Sequence, residues 1–81
     1  MQITVKFFSI FKALSGIDED QIEVSEGITV DQLSLELSKK YSNLPFESEQ
    51  TFYYVNDIVS TRDCILAEGD RVRIFQTLAG G

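Results

Sequence analysis

Hydrophobic and polar residues alternate in three segments of the chain, with the period of two that is typical of half-buried β-strands. These segments are residues 2–8, 21–25 and 71–75. In the first of them, Ile3, Val5 and Phe7 fall on one face, which we expect to point into the core. The alternation therefore predicts three strands.

Residues 51–55 are rich in aromatic and β-branched side chains, which favours a fourth strand. We expect Tyr53 to point inward. The turn dipeptide Asn56-Asp57 follows, and the apolar pair at 58–59 fits a short return strand. The pattern predicts five strands in all.

Residues 30–41 have the 3.6-residue period of an amphipathic helix. The predicted apolar stripe consists of Val30, Leu33, Leu37 and Tyr41, with Leu35 at its edge. Thr29 is a good N-cap, and Gln32 three residues later completes a capping box. Residues 9–15, which Gly16 closes, are long enough for only one or two helical turns.

Runs of strands around one main helix predict an α+β fold. We expect a mixed five-stranded sheet wrapped over that helix as a roll. The chain has 81 residues and contains no linker, repeat or low-complexity tract. It is therefore predicted to form a single domain over residues 1–81.

The composition limits the classes of partner and of chemistry that we expect for this chain. A net charge of −6 disfavours nucleic acid and anionic membranes as partners and favours a protein partner. Cys64 is the only cysteine and there is no histidine, so neither a transition-metal site nor an activated thiol is expected. We expect Cys64 to be a small buried core residue in a cytoplasmic protein, because a lone thiol fits a reducing compartment.

The outer face of the predicted sheet carries aromatic side chains among basic ones. Phe8 lies beside Lys6, and Phe75 lies beside Arg73. The other residues expected on this face are Phe52, Tyr54 and Arg71. Such a mixture is typical of protein-binding patches, although single exposed apolar residues are also common on ordinary surfaces.

The sequence closes with Gly80-Gly81, directly after the last predicted strand. Glycines make a thin and flexible arm because they lack a Cβ atom. Such an arm can enter a narrow channel and present its carboxylate as a reacting group. A frayed end with no function is the alternative.

Several short motifs carry a resemblance to a known family. They are VKFF at the start, TVDQL at the helix opening, Val55-Asn56-Asp57, Glu68-Gly69-Asp70 and the final AGG. With them, the chain resembles the MoaD/ThiS group of ubiquitin-like sulfur carriers, above all the small subunit of molybdopterin synthase. The resemblance implies a β-grasp, or ubiquitin-like, roll.

The resemblance also implies a chemistry and a set of partners. An E1-like adenylyltransferase of the MoeB/ThiF type would use ATP to adenylate the carboxylate of Gly81, and a sulfurtransferase would supply sulfur for a thiocarboxylate. That group would donate sulfur to the pterin precursor of the molybdenum cofactor, on the MoaE-type large subunit. The chain would bind no cofactor and would not be an enzyme on its own.

The partner contacts implied by the resemblance lie at exposed apolar positions and in the tail. They correspond here to Phe8, Phe75, Leu78 and Ala79, whereas Gly80 belongs with Gly81 to the reacting end, as the slim neighbour that fits the enzyme's channel. Lys12 falls where the family often has a basic residue, and Ile58 or Val59 matches a further apolar contact. The outer-face pattern adds Arg73 to these positions.

One departure from the resemblance concerns the pathway. Small synthase subunits usually carry two prolines where this chain has Gln76-Thr77. Without that stiffening, residues 77–81 are predicted to be flexible. A carrier for thiamine or another sulfur-containing product, and a protein modifier joined to lysines, therefore stay open as alternatives.

Overall fold

The computed structural model describes residues 1–77. Five strands and two helices follow one another in the order β-α-β-α-β-β-β. They are β1 (Gln2–Phe7), α1 (Ser9–Ser15), β2 (Glu19–Glu23), α2 (Val30–Lys40), β3 (Thr51–Val55), β4 (Ile58–Ser60) and β5 (Arg71–Gln76). The predicted main helix and all five strands are confirmed.

The strands form one mixed sheet in the order β2-β1-β5-β3-β4. β1 and β5 are parallel, and the other neighbouring pairs are antiparallel. The last strand of the described chain therefore lies at the centre of the sheet, between the β1–β2 hairpin and the β3–β4 hairpin.

The core lies between the inner face of the sheet and α2. Ile3, Val5 and Phe7 are buried, as the alternation predicts. The remaining buried apolar side chains come from both helices, the strands and the connecting loops: Phe11, Ile28, Val30, Leu33, Leu37, Leu44, Phe46, Tyr53, Leu66, Val72 and Ile74.

The amino end of α2 has both hydrogen bonds of a capping box. The backbone N–H of Gln32 donates to Thr29 Oγ1 at 3.2 Å, and the backbone N–H of Thr29 donates to Gln32 Oε1 at 2.9 Å. The predicted stripe is wrong at one position, because Leu35 is 48% exposed and Ser34 is buried in its place. Ser34 tolerates burial since its hydroxyl donates to the carbonyl of Asp31 at 2.7 Å.

Two further expectations need correction. β2 begins at Glu19 and ends at Glu23, two residues earlier than the predicted segment, because Glu19 and Asp20 pair with β1. Cys64 is only half-buried, packed against the edge of the core. Its position in the loop after β4 leaves part of the residue accessible.

Within residues 1–77, neither helix is long and apolar enough to cross a membrane.

Candidate functional site

The sheet register places a row of side chains across the outer face. Lys6 of β1 lies opposite Arg73 of β5, and Arg73 lies opposite Tyr54 of β3. The row extends to Glu19 on β2 and to Val59 on β4, at the two edges of the sheet. The sequence pattern therefore predicted the outward side chains of β1, β3 and β5 correctly.

Aromatic rings lie next to this row, towards the carboxyl end of β5. The Phe75 ring stacks on Phe52 with 6.2 Å between centroids and contacts Tyr54 at 5.3 Å. Phe75 is consequently half-buried, which corrects the expectation that its ring is solvent-exposed in the free chain. Phe8 remains 40% exposed, as expected.

A shallow depression of about 400 Å³ opens between these rings, and we call it the aromatic depression. Its lining residues are Phe8, Ser9, Tyr54, Arg73 and Phe75. Three of the sequence-predicted contact residues therefore share one surface feature. Ser9 was not predicted; it has a left-handed backbone (φ 54°) where the chain turns from β1 into α1, and no local sequence signal marks it.

Carboxylates lie against two of the basic side chains on this face. Arg73 Nη2 is 2.9 Å from Asp57 Oδ1, and Lys6 Nζ is 4.0 Å from Glu19 Oε1. Within residues 1–77, Arg71 has no carboxylate oxygen within salt-bridge distance. The face is therefore locally basic but partly neutralised from within the chain.

Lys12 lies on α1, outside the aromatic depression. Its Nζ atom is 2.7 Å from Asp18 Oδ1, and it lines a neighbouring depression of about 400 Å³. Ser9 lines both depressions, so Lys12 is adjacent to the aromatic residues but not among them.

The predicted reacting tail, Leu78, Ala79, Gly80 and Gly81, lies outside the described residues. The described chain reaches Thr77, whose backbone N–H donates to the carbonyl of Gln50 at 3.0 Å. Thr77 is two residues after Phe75, so the aromatic depression lies close to the point where the tail begins. No group of three or more His, Cys, Asp or Glu side chains within residues 1–77 is arranged to hold a metal ion.

Comparison with known protein families gives the same result as the fold. A family model described as the ThiS family matches residues 5–81, and the chain belongs to that family. It is a ubiquitin-like sulfur carrier with the β-grasp fold. Members of the family are small sulfur carrier proteins rather than enzymes.

Two relatives are similar over nearly the whole chain. The molybdopterin synthase sulfur carrier subunit of Mycobacterium tuberculosis (strain ATCC 25618 / H37Rv) is 26% identical over 82 residues, which cover 100% of this chain and 99% of that one. The putative molybdopterin converting factor, subunit 1, from Pyrococcus furiosus is 30% identical with a TM-score of 0.83. That alignment covers 95% of this chain and 98% of that one.

The small archaeal modifier protein 1 of Haloferax volcanii superposes with a TM-score of 0.87 over 100% of both chains, at 17% identity. It shows that the fold is shared.

Proposed function

We propose that this chain is the sulfur-carrying small subunit of molybdopterin synthase, with sulfur bound at the carboxyl group of Gly81. The observation that carries the proposal is the match of the ThiS family model to residues 5–81, a range that includes Gly80 and Gly81. The names of the M. tuberculosis and P. furiosus relatives support molybdopterin synthesis as the pathway.

The proposed chemistry starts from a carboxylate, which is a poor acyl electrophile. An E1-like adenylyltransferase of the MoeB/ThiF type transfers AMP from ATP to the Gly81 carboxylate and releases pyrophosphate. A sulfurtransferase then supplies the sulfur nucleophile that displaces AMP and leaves a thiocarboxylate. On a MoaE-type large subunit, the thiocarboxylate sulfur attacks a carbon of the pterin precursor and displaces a leaving group from it. Water then hydrolyses the resulting thioester, which leaves the sulfur on the pterin and regenerates the Gly81 carboxylate, so the chain contributes the reacting group and no cofactor.

The aromatic depression is the proposed docking site for these enzymes. Its support is chemical, because aromatic and arginine side chains dominate the centres of protein interfaces. Residues 78–81 reach at most about 14 Å beyond Thr77 when fully extended. For Gly81 to react, a partner that binds at Phe75 must therefore place its active site within about 14 Å of Thr77.

Intact mass spectrometry tests the carrier chemistry. The full chain is incubated with an E1-like enzyme, ATP and a sulfur source, and conversion of COOH to COSH should add about 16 Da. A variant without Gly81, and one with a residue added after it, should fold normally and gain no mass. Sulfur uptake by the truncated variant would show that the reacting group lies elsewhere.

The pathway is tested with the acceptor enzymes. The thiocarboxylated chain should convert the pterin precursor when mixed with the molybdopterin synthase large subunit. A second candidate is a carrier for thiamine or another sulfur-containing product. It is favoured by Gln76-Thr77, because the small synthase subunits usually have two prolines at these positions. Turnover with a thiazole synthase, and none with the large subunit, would support that candidate, whereas isopeptide conjugates to lysines would indicate a protein modifier.

A further inference from the structure

Arg73 occupies the middle of the outer face and, among residues 1–77, is the only charged residue that lines the aromatic depression. Its side chain is 45% exposed, and its guanidinium is 2.9 Å from the carboxylate of Asp57. Asp57 belongs to the turn between β3 and β4, and its own side chain is 72% exposed. The ion pair is therefore accessible to a partner that binds at the depression.

The turn that carries Asp57 is fixed by its neighbours. Both Asn56 and Asp57 have left-handed backbone conformations, with φ of 50° and 71°. Asn56 is bonded on three sides: its Nδ2 donates to Asp70 Oδ1 at 2.8 Å, its Oδ1 accepts from the backbone N–H of Arg71 at 2.9 Å, and its own N–H donates to the Arg71 carbonyl at 2.8 Å. These bonds fix Asn56, and with it the adjacent Asp57, whose carboxylate reaches the guanidinium of Arg73.

The charge on this face indicates the chemistry of the partner. The whole chain carries a net charge of −6, yet Lys6, Arg71 and Arg73 lie together on the outer face of the sheet. An acidic partner surface complements this local basic region, and charge complementarity both steers and orients association. Of these three basic residues, only Arg73 lines the aromatic depression, whose rings would receive an apolar partner side chain.

We propose that Arg73 binds a carboxylate of the protein partner, and that Asp57 occupies this position in the unbound chain. The inference rests on the proposed function, since the partner is the E1-like enzyme that docks at the aromatic depression. Binding exchanges one carboxylate for another on the same guanidinium. Exposed ion pairs are weak, so the exchange is easily reversible, and Asp57 limits affinity and disfavours partners without an acidic group.

The test measures the Kd of the complex between this chain and the purified E1-like enzyme of the same organism. The wild-type chain and four variants of it are compared. Asp57→Asn removes the competing carboxylate but keeps a residue that tolerates positive φ. Glu36→Gln is the matched control, because it removes the same charge from an exposed position on α2. Arg73→Gln and the double variant Asp57→Asn/Arg73→Gln complete a double-mutant cycle.

Asp57→Asn should bind about two- to five-fold more tightly than wild type, the range that corresponds to an exposed ion pair. Glu36→Gln should change the Kd by less. In the Arg73→Gln background, Asp57→Asn should give no gain, and thermal melts should confirm that every variant is folded. A purely structural role of Asp57 would not produce this dependence on Arg73.

Equal or weaker binding by folded Asp57→Asn, or the same gain with and without Arg73, would overturn the inference. Intact mass spectrometry of the chain, incubated with the same enzyme, ATP and a sulfur source, distinguishes failure of this inference from failure of the proposed function. If the enzyme charges the wild-type chain but the cycle shows no coupling, only the inference falls. If the enzyme neither binds nor charges the chain, the proposed function falls and the inference with it.

Discussion

The carboxylate of Asp20 accepts a hydrogen bond of 2.6 Å from the hydroxyl of Tyr41, and this bond joins edge strand β2 to the end of α2. Lys40 Nζ donates to the same oxygen at 2.7 Å. Burial by itself raises the pKa of Asp20, but the hydrogen bonds from Lys40 and Tyr41 outweigh it and the pKa lies below its usual value. Burial, followed by the bond to Asp20, raises the pKa of Tyr41 to about 12.

Asp20→Asn should weaken the acid dependence of stability. The folded chain keeps Asp20 ionised at lower pH than the unfolded chain does, so its stabilisation is present above the ordinary pKa of 3.8 and is lost as pH falls through the lower folded value. Urea denaturation from neutral to acid pH should show a flatter profile for this variant than for wild type. Glu36→Gln is the control, and an unchanged profile for Asp20→Asn would contradict the assignment.

Phe7 and Phe75 should respond differently to truncation. Phe7→Ala removes a fully buried ring and should cost about 3–5 kcal/mol of unfolding free energy. Phe75→Ala should cost less stability, because its ring is only half-buried, but it should weaken partner binding by about 2 kcal/mol. Parallel thermal melts and titrations would decide the point. If Phe75→Ala unfolds the domain yet binds normally whenever folded, the docking site lies elsewhere.

Leu35 and Leu37 form a matched pair on α2, on different faces of the helix. Leu37 is 1% exposed, so Leu37→Ala should lower the unfolding free energy by about 2–5 kcal/mol. Leu35→Ala should change it by less than about 0.5 kcal/mol, as is usual for surface positions. Chemical denaturation of both variants measures the difference. Similar losses of unfolding free energy for the two variants would mean that the buried face of α2 is assigned wrongly.

Gln76→Pro should be tolerated better than Thr77→Pro. In an antiparallel pair, every second residue directs its backbone N–H towards the neighbouring strand. The N–H of Thr77 donates to Gln50 and that of Asn56 donates to Arg71, so in this register the N–H of Gln76 points away from β3. Thr77→Pro removes a hydrogen bond and should cost about 1 kcal/mol, whereas Gln76→Pro keeps the β3–β5 ladder. Thermal melts compare the two variants directly.

Calorimetry should also show partner binding for Gln76→Pro at least equal to that of wild type, because Gln76 is already ordered in β5 of the unbound chain and proline there keeps the β3–β5 ladder. A larger stability loss than for Thr77→Pro would mean that the Gln76 N–H is bonded within the sheet.

Local signals predicted α2 and the strands well. The capping box of Thr29 and Gln32 depends only on neighbouring residues, and the alternation in β1 leaves one register that buries Ile3, Val5 and Phe7. The parallel pairing of β1 with β5 is not specified by any local signal in either strand. Only the structure shows it, and it places Lys6 beside Arg73 on the outer face.

Features that depend on distant contacts were missed. Leu44 and Phe46 lie in a loop without periodicity, yet they are buried because the loop folds across the end of the core. The hydroxyl of buried Ser34, besides donating to Asp31, accepts a hydrogen bond of 3.3 Å from Arg62, twenty-eight positions later, a contact that no local pattern predicts. The pairing of Asp57 with Arg73 likewise needs the β3–β5 register, which no local motif specifies.

The central position of β5 has a consequence for synthesis of the protein. The hairpins β1–β2 and β3–β4 are both complete before residue 71 is added. They are not adjacent in the sheet, because β5 lies between them. Two-stranded hairpins are marginal in water. A nascent chain that still lacks Arg71–Gln76 therefore exposes two unjoined hairpins to chaperones and proteases, and cooperative folding of the sheet must await synthesis of this central strand.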